Sequence, residues 1–227
     1  METNVKTINP KLALYETTKD NLIVKPLHID SNFYVQNAEK PFLFKRVGCD
    51  LALVVYRIIK DNDEELVTER ITQELAEKWE EELEISEEDI FNQALENTQN
   101  YAKARLYTNI FGIEQTPERE ADFMATEFPK TKIKEEVILV TTKRKTNGAI
   151  VMFYPNIKER LAELLDGNYY VAFTSRHEAM VHKFGTIAVT SIKRNLTETN
   201  RIFGPDDTLT DQVWFYNTED KTFRPVA

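Results

Sequence analysis

Apolar positions change their spacing several times along the chain, and each change marks an element. From Leu51 to Ile59 (LALVVYRII) every position except Arg57 is apolar or aromatic, the pattern of a strand buried on both faces. Asn21 to Ile29 (NLIVKPLHI) is similarly rich in β-formers, but Pro26 has no N–H to give a ladder and predicts an edge strand or two short pieces. Phe42 to Gly48 alternates around Lys45 and Arg46. Asp61-Asn62-Asp63 supplies turn chemistry, so Glu65 to Ile71 is expected to return as a hairpin partner. Ile71, Leu75 and Trp79, four apart, compete as one helical stripe. Strand to about Ile71 and helix from about Gln73 reconciles the two signals.

Ser86-Glu87-Glu88-Asp89 is a capping-box pattern, and Ile90, Phe91, Ala94 and Leu95 then share one helical face that stops near Asn97. Helical spacing recurs over Ala102–Ile110 and Pro117–Phe128, joined at Gly112. Glu136 to Thr142 predicts a strand, Lys143 to Gly148 a turn carrying Asn147-Gly148, and Ala149 to Tyr154 its hairpin partner. Asn156 is placed to cap a helix with Ile157, Leu161, Leu164 and Leu165 inward, ended by Gly167. Tyr169–Thr174 reads as a strand, Ser175–Lys183 as a helical turn, Thr186–Arg201 as a helix and Gln212–Asn217 as a last strand. No repeat or linker divides the chain. The expectation is a single α+β domain, its sheet mixed or mostly antiparallel with helices packed on it. Residues 1–46 form an N-terminal arm with edge strands, and 47–227 carry one continuous core.

Composition adds the compartment and the charge. At 227 residues, about 70% of the unfolded chain's surface can be buried without staples. One cysteine, Cys49, excludes an intrachain disulfide and points to a reducing compartment. The polar start Met1–Lys6 does not resemble a signal peptide, and the longest apolar stretch is about half of what a membrane helix needs. A cytoplasmic protein without membrane contact is expected. Net charge is −9, yet residues 61–90 hold 14 Asp or Glu against Arg70 and Lys78, a local −12 that leaves +3 elsewhere. Such a face repels phosphate backbones, so nucleic acid is not expected as its partner.

Candidate chemistry is sparse. His177-Glu178-Ala179-Met180-Val181-His182 suggests a zinc-protease helix, but its two histidines are five apart, about 140° on a regular helix, and cannot face one metal. His28 is far away in sequence, so no metal is expected. Cys49 with His177 could form a thiolate–imidazole pair, although a free cysteine beside a buried strand is more commonly a small core residue. Neither GxGxxG nor GxxxxGK[ST] occurs, and no cofactor is expected. Ser175, His177 and Glu178 near Asn147 or Asp211 are the candidates for a hydrolase-type site with His177 as general base. Lys143, Arg144 and Lys145, with Lys130, Lys132 and Lys134 upstream, make a modest basic cluster, more commonly the charged turn of a hairpin than a nucleic-acid site. Glu80, Glu81, Glu82 and Glu84 lie in the acidic segment, whose apolar residues Leu66, Ile71, Leu75, Trp79 and Leu83 show that it packs.

Several stretches resemble a known family when taken together. They are CDLALVVYRII (Cys49–Ile59), ISEEDIFNQALENT (Ile85–Thr98), VTTKRKTNGAIVMFYPNIKERLAELL (Val140–Leu165), YYVAFTSRHEAMV (Tyr169–Val181) and LTDQVWFYNTED (Leu209–Asp220). In order and spacing over about residues 47–220 they resemble a domain-of-unknown-function family of gut Firmicutes, the family numbered 5688. The resemblance implies a fold and a link to accessory genes but no reaction, substrate or cofactor. The function expected is a non-catalytic protein-interaction module with an acidic face, its partner an unidentified protein for which a basic surface is one option. The alternatives are the hydrolase site and a nucleic-acid mimic acting through the acidic 61–90 segment.

Overall fold

A computed structural model of the chain describes residues 15–62, 65–108 and 132–226. Two antiparallel sheets carry it. In the first, β3 (Leu51–Asp61) pairs along one side with β1 (Leu22–His28) and along the other with β2 (Phe44–Arg46) and β4 (Leu66–Arg70) end to end. In the second the order is β10-β9-β7-β8-β6-β5, with β5 Ala104–Tyr107, β6 Val137–Thr142, β7 Tyr169–Ser175, β8 Glu178–Lys183, β9 Val213–Asn217 and β10 Thr222–Pro225.

The apolar run Leu51–Tyr56 that opens β3 has a simple cause. Leu51, Leu53 and Val55 face the main core, while Ala52, Val54 and Tyr56 face a second cluster with Phe33 of α1 (Ser31–Glu39). A strand covered on both sides has no polar face to alternate with. The main core runs through both sheets, joining Leu22, Leu53 and Val55 to Val140, Val171 and Trp214. It also takes in Trp79 of α2 (Gln73–Leu83), Ile90 of α3 (Glu87–Tyr101), the 3-10 segment Gly148–Phe153 and Leu161 of α4 (Ile157–Leu165). On the far face of the second sheet, Ile192 and Leu196 of α5 (Val189–Phe203) cover Ala172 and Val213. The expected single-domain α+β fold is what forms.

β1 is an edge strand, and its free edge is managed. Val24 N–H donates to Thr98 Oγ1 at 2.8 Å, and Pro26, two residues on along the same edge, has no N–H to leave unpaired. Thr98 in turn donates to Ala94 O, and Asn97 Nδ2 donates to the carbonyls of Lys19 and Leu22. Asn97 therefore does not end its helix. The Asn97–Thr98 pair straps α3 to β1 and the helix runs on to Tyr101. The Ser86–Asp89 capping box forms in full.

Three local expectations are corrected. The described part of Ala102–Ile110, up to Thr108, is not helical: Ala104–Tyr107 is the edge strand β5. Ala149–Tyr154 is not the second arm of a hairpin but mostly the 3-10 segment, whose residues Gly148 to Met152 are all buried. A short apolar run enclosed on every side has no periodicity to distinguish strand from helix. Ser175–Lys183 is a tight turn followed by β8, with Ala179 and Val181 inward, a period-2 pattern. In addition, Asn156 lies left-handed before α4 and makes no side-chain cap. The helix expected over Pro117–Phe128 lies outside the described residues.

Candidate functional site

Two turns meet at one place. In the β7–β8 hairpin Ser175 pairs with Glu178, leaving Arg176 and His177 as its two-residue tip. The Ser175 hydroxyl accepts the His177 N–H at 3.0 Å and fixes that tip. The second turn follows β6, where Lys145 and Asn147 both take left-handed backbone (φ 54° and 49°). Asn is among the few residues with a side chain that tolerate this conformation. Asn147 N–H then donates to His177 Nδ1 at 3.2 Å, Thr141 Oγ1 donates to His177 O at 2.7 Å, and Ala149 N–H donates to Arg176 O at 3.2 Å. Gly148 makes this approach possible. A Cβ there would lie 2.1 Å from Thr141 Oγ1 and 2.2 Å from His177 O, so no larger residue fits without separating the turns.

These contacts assign the imidazole. With Nδ1 accepting from Asn147, the neutral ring carries its proton on Nε2, which points at Asp207 Oδ1 3.3 Å away. The same carboxylate takes Arg176 Nε at 3.2 Å, and Arg176 N–H donates to Asp207 O at 2.9 Å. Arg176 Nε also lies 3.3 Å from His177 Nε2, a neighbouring approach and not a bond once Nε2 holds a proton. Among the described residues no partner takes the terminal nitrogens of Arg176.

Lys25 of β1 forms the opposite wall. Its Nζ donates to Thr68 Oγ1 at 2.7 Å and lies 4.7 Å from the centre of the Tyr56 ring. Burial, with the nearby Arg176 charge adding to it, lowers the Lys25 ammonium to about 8. Between the walls is a cavity of about 330 Å³ lined by Lys25, Tyr56, Thr146, Asn147, Arg176 and His177, with Leu27 and Leu66 as its apolar part. Two cations and an imidazole line it, and no carboxylate does. A second recess of about 220 Å³ adjoins it through Leu27 and Arg176 and is lined as well by His28, Gln36, Arg70, Asp30 and Asp206.

The structure places the residues singled out in the sequence as follows. Ser175, His177 and Asn147 lie together at the two turns, and Glu178 beside them accepts from Thr174 Oγ1 at 3.2 Å. The imidazole nitrogens face Asn147 and Asp207, whereas Ser175 Oγ is buried and bonds to backbone. Asp211 is elsewhere, accepting from Asn200 Nδ2 at 2.8 Å and donating its N–H to Asp50. Arg144 forks Asp61 at 2.8 and 3.2 Å and stacks 4.5 Å from the Tyr101 ring centre, a clamp between the two sheets; Lys143 and Lys145 are exposed beside it. Lys132 pairs with Asp166, and Lys130 lies outside the described residues. Glu80, Glu81, Glu82 and Glu84 are exposed on and just after α2. Cys49, expected in the core, is exposed instead. Among the described residues no three His, Cys, Asp or Glu side chains gather as metal ligands, and His182 is buried within β8.

Sequence reasoning missed Lys25, Arg176 and Asp207. For Lys25 a signal existed: a lysine inside the mostly apolar NLIVKPLHI is either misplaced or used. For the other two there was none, because their role depends on contacts across the fold.

No helix among the described residues is long and apolar enough to cross a membrane. No curated protein and no solved structure matches the chain. A family profile described as a family of unknown function (DUF5688) matches residues 1–218, so the likeness expected over about 47–220 extends to the first residue. The chain belongs to that family.

Proposed function

We propose that this protein is a binding module for a small anionic ligand, held in the cavity between β1 and the two turns. The observation that carries the proposal is charge placement. In a chain of net charge −9, a concave surface is lined by Lys25, Arg176 and His177 without a single carboxylate. Arg176 is positioned through Nε and its backbone by Asp207, so its terminal nitrogens can fork a carboxylate or a phosphate in two parallel hydrogen bonds. Asn147 and Thr146 add polar groups, and Leu27 and Leu66 suit an aliphatic portion of the ligand. Its exposed lone thiol supports placing it in the reducing cytoplasm.

The test is calorimetric titration of the full chain with oxalate and with inorganic phosphate at low salt. Saturable binding by at least one of them is expected, weakened about tenfold or more in Arg176→Gln. Absence of saturable binding by both, or an Arg176→Gln variant that binds as the parent does, removes the reading.

A second reading has its own observation. Glu77, Glu80, Glu81 and Glu84 are exposed at one end of α2, where Lys78 is the lone basic residue of the helix and pairs with Glu74. This corner suits a basic protein surface, since complementary charge speeds encounter. Salt-sensitive capture of a defined cationic partner that Glu80→Lys/Glu81→Lys abolishes would support it.

A further inference from the structure

Lys25 can do more than hold an anion by charge. An amine lowered to about 8 stays mostly protonated at pH 7 yet leaves roughly a tenth of it as free amine. That free amine can donate an electron pair. The Thr68 hydroxyl accepts one N–H at 2.7 Å, Nζ lies 4.7 Å from the centre of the Tyr56 ring, and among the described residues no carboxylate pairs with Nζ. Across the same cavity lies the guanidinium whose terminal nitrogens are available. Lys158 sharpens the contrast. Burial lowers it too, yet its recess is lined by Phe91, Leu95, Phe153 and Glu88 and contains no guanidinium.

We infer that the ligand is a carbonyl compound bearing a carboxylate, a 2-oxo acid in the simplest case, which Arg176 holds by its carboxylate while Lys25 captures its carbonyl carbon as an imine. The inference rests on the anion-binding reading and adds a covalent step. The neutral Lys25 amine places its lone pair on the carbonyl carbon, forming the C–N bond of a carbinolamine. The two amine hydrogens then leave with the former carbonyl oxygen as water, and a C=N bond remains. No oxidant or reductant is consumed, and hydrolysis reverses the capture. At neutral pH the free-amine fraction of Lys25 exceeds that of an ordinary lysine by about two orders of magnitude, which favours it as nucleophile over surface lysines such as Lys193.

The experiment is reductive trapping. The full chain is incubated with pyruvate and sodium cyanoborohydride near neutral pH, digested, and the modified peptides are quantified by mass spectrometry. Labelling at Lys25 is expected to outpace that at Lys193 and Lys158 by at least about tenfold, to be slowed by oxalate, and to be absent from Lys25→Arg. A circular-dichroism spectrum of that variant shows whether it folds, and oxalate protection of the unmodified chain gives a readout that needs no variant. Labelling of Lys25 no faster than of Lys193, or labelling that oxalate does not slow, overturns the inference. If oxalate or phosphate still binds in an Arg176-dependent way while Lys25 goes unlabelled, the covalent step alone has failed. If neither anion binds, the cavity is not an anion site and both readings fall together.

Discussion

The molecule has two charged regions built on opposite principles. The corner of α2 crowds carboxylates along one exposed stretch, Glu77, Glu80, Glu81 and Glu84, in full contact with water. The cleft between β1 and the turns uses few charges, Lys25 and Arg176 beside His177, and withdraws them partly from solvent. Burial shifts Lys25 strongly, because a charge moved out of water loses hydration that nothing nearby fully replaces. The difference teaches that the energetic weight of a charged group follows its surroundings, not its company of like neighbours. Sequence composition advertises the first region and hides the second.

The strongest way to break the comparison is to remove the frame of the cleft while leaving its charges untouched. Gly148→Ala forces a methyl group into space within 2.2 Å of Thr141 Oγ1 and His177 O, which are held by β6 and the β7–β8 hairpin. A destabilisation of about 3 kcal/mol is expected in urea unfolding, together with loss of oxalate binding as Asn147 withdraws from His177. A change below about 0.5 kcal/mol would show that the two turns are loosely joined and that the cleft's geometry is incidental.

A smaller effect sharpens the rule about burial. His182 lies in β8, 7% exposed, with its Nδ1 unpartnered among the described residues, and burial alone lowers its pKa from 6.5 to about 4. Its folded pKa is below its unfolded one, so between about 4 and 6.5 the unfolded chain binds more protons than the folded chain. Stability contributed by neutral His182 is therefore complete above about pH 7 and is lost as pH falls through that window. The loss between pH 7 and pH 5 comes to about 2 kcal/mol. Urea unfolding at a series of pH values should show this slope, and His182→Leu should flatten it. An equal slope in the variant would assign the pH dependence to other groups.

Much of the frame was legible. The two-sided burial of β3, the edge placement of Pro26 and the Ser86 capping box follow from local pattern, because each depends on spacing within about ten residues. The site was legible only in part. Asn147, Ser175 and His177 stood out as residue types, and the structure brings them together at the meeting of the two turns. Lys25 and Arg176 are 151 positions apart in sequence and gain their meaning from a long-range packing of sheet edge against hairpin tip. The His-x4-His segment shows the same limit. It was weighed on a helix, whereas one histidine sits in a turn and the other points into the sheet on the α5 side, paired with Tyr170. Arg144 shows the converse, since a residue that looks like part of a basic patch is taken up by Asp61 and Tyr101.

The least disruptive change tests the other half of the comparison. Glu80→Lys/Glu81→Lys reverses two exposed charges on α2, moving the net charge by +4 from −9 to −5. Neither carboxylate takes part in an ion pair among the described residues, both stand in water, and an exposed charge contributes little to folding even when it is paired. Stability should therefore stay within about 0.5 kcal/mol of the parent. Oxalate affinity should also be unchanged at physiological salt, because no α2 side chain lines the cleft and exposed charges are screened beyond about 8 Å. Lowering the salt lengthens that range, so any tightening of oxalate binding in the variant should appear there and vanish again as salt is restored. If the double variant instead unfolds more readily by 2 kcal/mol or more, measured in the same urea series, the acidic corner is stabilised by contacts that its exposure conceals, and number would matter after all.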